Sequence, residues 1–399
     1  MNGYLDTRNK TECYGCGACV QACPCNALYM HEDAEGFRYP VVENDKCVKC
    51  GICHKVCPHE NPVDKCNGKQ FAFGGYVRDE SIRNESTSGG AFSALADTWC
   101  DENYVIFGAA SEGLNVYHTS IQDKAQLQQF RKSKYLQSNV GNSYNEVKKY
   151  LSQNRKVLFS GTPCQIAGLK AFLGDVKQDN LLTVEVVCEG VPSPLYIRRY
   201  AEWLLQRHGA VIKNIDYRYK DGNKWDFQVM YIELANDYRI KIDRWFNPFW
   251  SIWLNHLMSR PSCYKCPFTT KERCADITLG DLWGVHIYCS ELYGSNKGAS
   301  LIICNSIKGQ EIFSRAKSNL YGHDLDFSVA LKYQSPMRKN IDYNDMREIF
   351  IKDLQNENLN YKEIVMKWGR KPTLRLLFSK YIWGNAQKVF LKNCLNKIF

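Results

Sequence analysis

Nine of the nineteen cysteines lie within the first 57 residues. Cys-x-x-Cys-x-x-Cys-x-x-x-Cys-Pro occurs twice, from Cys13 to Pro24 and from Cys47 to Pro58. Three thiolates in one tight loop hold three corners of an iron–sulfur cubane, and the fourth cysteine of each run, set before proline, ligates the other cluster. The pattern predicts two 4Fe–4S clusters. Cys13, Cys16, Cys19 and Cys57 hold one, and Cys47, Cys50, Cys53 and Cys23 hold the other. Zinc sites usually pair their ligands two by two, which two full runs ending in Cys-Pro do not match. Gly15, Gly17 and Gly51 permit close backbone approach to the sulfurs. Cys25 and Cys66 fall outside the pattern.

A second group of cysteines is scattered. Cys164 and Cys188 each follow a strand candidate, where parallel sheets gather ligand-binding residues. Cys263 and Cys266 form a Cys-x-x-Cys pair, with Cys274 close behind. Two strand-end cysteines and one such pair supply four soft ligands, enough for a third cluster. A buried cysteine is also a small hydrophobe, and an isolated pair also suits zinc, so the residues alone leave this site open. Thr87-Ser88-Gly89-Gly90 precedes a helix candidate and reads either as a phosphate site or as an ordinary N-cap. No G-x-G-x-x-G follows a strand, so a standard dinucleotide-binding unit is not supported.

These groups need a scaffold. Residues 1–66 contain the repeat, with two short strands at Ala27–Met30 and Phe37–Val42, and Asn61–Lys69 reads as a linker. Strands then alternate with helices, predicting a mostly parallel α/β sheet. Strand candidates are Phe71–Val77, Tyr104–Ala109, Lys156–Ser160, Leu182–Val187, Ile277–Leu279 and Leu301–Asn305. Helix candidates are Gly90–Cys100, Ser143–Gln153, Gln165–Phe172, Pro194–His208 and Arg244–Met258. The aromatic residues from Trp245 to Trp253, and His118, His256 and His286, fit core or structural roles best. The expected organisation is a two-cluster domain at 1–66, an α/β core at 71–333 and a basic helical extension at 334–399, divided by Pro372.

Composition narrows the function. With 44% hydrophobic and 24% charged residues the chain is globular, not disordered or collagen-like. The first twelve residues lack an apolar signal core, and no stretch approaches a spanning helix, so a cytoplasmic location is expected. In that setting nineteen cysteines point to metal or redox chemistry rather than disulfides. Most of the +10 formal charge sits after Leu331, where 14 Lys or Arg face 6 Asp or Glu. A basic tail on a near-neutral body is not a nucleic-acid face. From Ile364 onward there are eight basic and no acidic residues, interleaved with Trp368, Leu374, Leu377, Trp383 and Phe390. That pattern suits either peripheral contact with an anionic membrane or a lid on the protein's own body.

The first 60 residues resemble the bacterial-type two-cluster ferredoxin domain. Further along, Ser86–Phe92, Ser133–Ser138, Gly161–Gln165, Cys188-Glu189-Gly190, Ser262–Cys266 and Ala275–Asp281 occur in family order. Together, roughly from Phe71 to Tyr333, they resemble the coenzyme F420 hydrogenase/dehydrogenase beta-subunit family. The resemblance implies an iron–sulfur flavoprotein with FAD and a third 4Fe–4S cluster on Cys164, Cys188, Cys263 and Cys266, Cys274 being the reserve ligand. It also points to Ser88, Gly89, Gly90, Lys134, Tyr135 and Thr162 as flavin contacts, and it leaves catalytic residues unassigned. The expected activity is electron exchange between the clusters and FAD, with reduction or oxidation of a small organic substrate or a deazaflavin-type coenzyme. The expected partner is a ferredoxin or dehydrogenase subunit. The alternative is an electron-transfer subunit of a larger complex without its own substrate.

Overall fold

The computed structural model describes residues 3–220, 225–294 and 296–395. Its strands are β1 (Leu28–Glu32), β2 (Arg38–Val42), β3 (Phe71–Val77), β4 (Tyr104–Glu112), β5 (Asn115–Ile121), β6 (Lys156–Gly161) and β7 (Leu181–Val186). These are followed by β8 (Ile212–Tyr219), β9 (Val229–Leu234), β10 (Arg239–Ile242), β11 (Ile277–Asp281), β12 (Ser300–Cys304) and β13 (Leu320–Leu325).

The main sheet has eight strands in the order β13-β3-β12-β11-β7-β6-β4-β5. Strands β4, β6, β7 and β11 pair in parallel, while β12, β13 and β5 run against their neighbours. Five strands, β3 included, therefore point one way, and their carboxyl ends share one edge. The parallel strands are apolar runs such as Val157-Leu158-Phe159, buried on both faces as helix-covered strands must be. Helices Ala91–Trp99 and Ile307–Ala316 cover one face; Ser143–Ser152 and Pro163–Leu173 cover the other.

A second layer departs from the expected pattern. Strands β8, β9 and β10 form a separate antiparallel sheet, and helices Pro194–His208, Arg347–Gln355 and Tyr361–Trp368 share its apolar core. The aromatic run expected as one helix over Arg244–Met258 is helical only from Pro248 to Trp253. Asn247 caps it and Pro248 fixes its first turn. His256, with φ 57°, follows the short helix in the left-handed region. Phe350 and Ile364 are fully buried, so the basic extension is built into the body as far as Trp368.

The amino-terminal repeat also packs onto the body. Tyr14, Cys16, Ala18 and Val56 share a core with Phe107, Tyr144 and Phe159. Tyr144 donates its hydroxyl to the Cys16 carbonyl at 2.9 Å, and Gln137 Nε2 donates to the Tyr14 carbonyl at 2.8 Å. Arg347 and Glu35 form a buried ion pair between the C-terminal helices and the β1–β2 hairpin.

Candidate metal centres and strand-edge site

The two cysteine runs fold as copies of one another. Gly17 precedes helix Ala18–Gln21 with φ 76° and ψ 2°, and Gly51 precedes Ile52–Lys55 with φ 75° and ψ 0°. This left-handed backbone suits glycine. It lets the following amides turn toward the cysteines. The amides of Ala18 and His54 face the sulfurs of Cys16 and Cys53, those of His59 and Glu60 face Cys57, and Ala27 donates its amide to Cys23 Sγ at 3.2 Å.

Within electrostatic range, Cys16 senses Cys13 and Cys57, and Cys19 senses Cys16, Cys13 and Cys57. Cys53 senses Cys50 and Cys23, and Cys47 opens the same loop. Burial pushes the thiols of Cys16, Cys19, Cys53 and Cys57 above their ordinary value, and neighbouring sulfurs add to the shift.

The scattered cysteines converge as well. Cys164, Cys188, Cys263 and Cys266 line one cavity with Tyr14, Gly190 and Arg260. Cys164 lies in the first turn of helix Pro163–Leu173, whose capping box joins Thr162 and Gln165. Burial raises the Cys263 thiol to about 11 and the Cys266 thiol to about 12. Cys274 is buried apart from them, beside Glu185, Lys170 and Lys65, and Cys66 donates to the Ala275 carbonyl.

The three groups form a row. Cys19 senses Cys53 of the second group, while Cys16 senses Cys164 of the third. Tyr14 stands between the first and third, sensing Cys266, Cys57, Cys164 and Cys16. Among the described residues no three cysteine sulfurs lie within 4.8 Å of one another. Four thiolates on one zinc at ~2.3 Å would sit ~3.8 Å apart. The spacing suits a ligand larger than a single ion.

The residues expected to meet a flavin gather near the same sheet edge. Thr87 accepts a hydrogen bond from the Ser133 amide at 2.8 Å, and Gln165 Nε2 donates to Ser138 Oγ at 3.0 Å, so three of the sequence motifs interlock. Ser88 donates to the Ala299 carbonyl, and the Gly89 amide donates to Ser300 Oγ at 2.9 Å. These two residues direct those donors into the fold rather than toward an open phosphate site. A Cβ on Gly89 would lie 2.4 Å from the Gly75 carbonyl oxygen, so this glycine serves close packing. Gly90 takes φ 81° ahead of its helix. Lys134 gives its ammonium to the carbonyls of Gln129 and Arg131, and burial lowers its pKa to about 7. Thr162 Oγ1 lies 3.2 Å from Cys164 Sγ.

Tyr135 packs among Tyr217, Trp250 and Trp253, and its hydroxyl accepts from Arg218 at 3.4 Å. Arg218 lies outside every sequence motif. It pairs with Asp281 at 2.8 Å, lies over Trp225 and Trp283, and keeps Nη2 without a hydrogen-bond partner among the described residues. Lys220 donates to the Arg83 and Ser88 carbonyls, and burial holds its pKa at about 7. Arg244 stands near Glu189, just past Cys188. The alternation Tyr217-Arg218-Tyr219-Lys220 is the signal that could have revealed these cations. His118 is structural: it binds the Ser160 carbonyl and Ser138 Oγ, and burial lowers its pKa to about 4.

An α/β body with paired cysteine loops and a cationic, aromatic strand edge defines an iron–sulfur protein of the oxidoreductase class. Residues 154–324 match the family model for the C terminus of the coenzyme F420 hydrogenase/dehydrogenase beta subunit, and residues 12–61 match the 4Fe-4S dicluster domain. The chain thus carries the C-terminal domain of the coenzyme F420 hydrogenase/dehydrogenase beta-subunit family, preceded by a 4Fe–4S dicluster domain at its amino end.

Among curated relatives, ketoisovalerate oxidoreductase subunit VorC of Methanothermobacter marburgensis is 34% identical over 58 residues, covering 14% of this chain and 73% of that one. An anaerobic dimethyl sulfoxide reductase chain of Haemophilus influenzae is 36% identical over 59 residues, covering 13% of this chain; the match spans only 27% of that protein's length. A chain of the F420-reducing [NiFe] hydrogenase complex from Methanosarcina barkeri aligns with TM-score 0.47 and 15% identity, covering 75% of this chain and 96% of that chain. Among the described residues no helix is long and apolar enough to cross a membrane.

A Cβ on Gly168 would lie 2.8 Å from Cys16 Cβ and 3.0 Å from its sulfur. Gly168→Ala is expected to displace Cys16 and to cost ~1–3 kcal/mol, as overpacking usually does. Thermal unfolding of the purified variant checks this; an unchanged melting temperature would mean the helix can yield.

Proposed function

We propose that the chain is an iron–sulfur flavoprotein oxidoreductase carrying three 4Fe–4S clusters and one FAD, exchanging electrons between a protein partner and a small organic substrate or deazaflavin-type coenzyme. The observation that carries this reading is the row of three cysteine groups ending at the cationic strand edge. In this reading residues 1–66 form the two-cluster unit, residues 71–333 hold the third cluster and the flavin, and residues 334–399 are a helical extension. Cys13, Cys16, Cys19 and Cys57 hold the first cluster; Cys47, Cys50, Cys53 and Cys23 the second; Cys164, Cys188, Cys263 and Cys266 the third.

When bound, cubanes exchange single electrons, whereas a flavin accepts two singly and can give them up together as hydride. The chain's own residues supply the surroundings. Amides turned toward the cysteines favour their thiolates, and burial keeps water from the sulfurs. Arg218 Nη2 and Trp225 Nε1, which have no hydrogen-bond partner among the described residues, are buried donors suited to an anionic, planar cofactor. Arg218, Lys220, Arg244 and Tyr135 would hold the flavin, with Gly90, Lys134 and Thr162 shaping its border.

The second reading, an electron-transfer subunit, is favoured by the relatives named as a subunit of an oxidoreductase and a chain of a reductase. A redox partner subunit follows from either reading. Cys188→Ser separates the third cluster from the other two. In the purified anaerobic protein it is expected to lose about four iron atoms while the other cluster signals persist, and reduced ferredoxin should no longer reduce the flavin. Full iron content in this variant would remove Cys188 from the ligand set.

The carboxyl-terminal segment supports a location proposal. Leu374 is 87% exposed, Phe390 71% and Ile382 62%, amid basic residues, while Val389 anchors the last helix on the body. We place this outward face against an anionic membrane surface. Because Ile364 is buried, truncation should begin after Gly369. The intact chain is expected to float with phosphatidylserine vesicles and the truncated chain to stay behind; equal flotation would reject the membrane contact.

A further inference from the structure

The buried arginines of this fold have carboxylate partners, with one exception. Arg218 faces Asp281, Arg273 faces Glu185 and Arg347 faces Glu35. Arg260 is 1% exposed, and among the described residues no carboxylate pairs with its guanidinium. A buried cation without a counter-charge is strongly disfavoured. The ionisable groups nearest in effect to Arg260 are Cys13, Tyr39, Cys263 and Cys164. Three of these four are sulfurs, one in the first cysteine group and two in the third.

The side chain is held rigidly between those groups. Nε donates to the Cys13 carbonyl at 3.1 Å, Nη1 to Gln137 Oε1 at 3.2 Å and Nη2 to the Arg38 carbonyl at 2.9 Å. Nη2 also lies 3.8 Å from Cys13 Sγ, within range of an N–H···S bond. The guanidinium lies over the Tyr39 ring at 4.3 Å and the Phe37 ring at 5.5 Å. Gly15 leaves room for it, since a Cβ there would meet Nη1 at 2.8 Å. The backbone serves the other group: the Arg260 amide donates to the Val191 carbonyl at 3.0 Å, and its carbonyl accepts from the Cys263 amide at 2.9 Å.

We propose that Arg260 is the shared counter-ion of the first and third cysteine groups, a positioning residue that raises the reduction potentials of both centres together and leaves the Cys47 centre unaffected. The inference rests on the three-cluster reading above. A four-thiolate cubane is an anion that gains negative charge on reduction, so a fixed cation at its edge stabilises the reduced form. One guanidinium touching both surroundings keeps the two potentials in step. The Cys47 group lies beyond the first and escapes this field.

The test is an anaerobic redox titration followed by electron paramagnetic resonance, on the full-length protein and on Arg260→Lys and Arg260→Gln. In Arg260→Gln two of the three centres should shift to lower potential and one should stay. Arg260→Lys keeps the charge and should titrate close to the parent. If Arg260→Gln fails to assemble its iron, Gln137→Glu places a carboxylate against the guanidinium and should lower the same two potentials. Equal shifts in the Lys and Gln variants, a uniform shift of all centres, or no shift in a protein with three centres would overturn the counter-ion role alone. A parent protein with only two centres would overturn the three-cluster reading, and this inference with it.

Discussion

Twelve cysteines in three partly buried groups are an unfavourable arrangement without a metal. Thiolates that near one another repel, and burial disfavours the charged form of Cys16, Cys188 and Cys263, whose thiols it pushes up. A metal centre removes both penalties by binding the thiolates as a set. For the two amino-terminal groups the matched domain supplies such centres as 4Fe–4S clusters.

The rest of the molecule answers that constraint. The common direction of β6, β7 and β11 brings Cys164, Cys188 and Asp281 to one edge, although 117 positions separate Cys164 from Asp281 in sequence. Helix Pro163–Leu173 contributes Cys164 at one end and, at Gly168, the bare surface on which Cys16 rests. The two-cluster unit is thereby docked by its own ligand loop. On the far side, β8 and the short helix Pro248–Trp253 bring Arg218 and an aromatic wall to the same edge. The cysteine row and the strand-edge site are thus positioned by a single piece of sheet.

Local features were legible in the sequence, and long-range ones were not. The paired loops could be read because their spacing is short and repeated. Strands β3, β6 and β7 were legible as apolar runs that only a buried sheet uses. Strands β5 and β13 lie at the sheet edges and carry polar residues such as His118 and Asp324, so their periodicity is weak. The β8–β10 layer was missed because its charged residues, such as Lys213 and Arg239, hide the alternation. Pro248 was the overlooked sign that the aromatic helix starts late. The convergence of Cys164, Cys188, Cys263 and Cys266 was expected from family resemblance, whereas Arg260 and Arg218 carry meaning only once the fold has brought their neighbours to them.

The central claim is that three cysteine groups and the strand edge serve one redox protein. Iron and flavin content of the full chain purified without oxygen tests it most directly. The account predicts about twelve iron atoms and one FAD per chain, as three cubanes and one flavin require. About eight iron atoms and no flavin would contradict it, leaving a two-cluster unit on an α/β body.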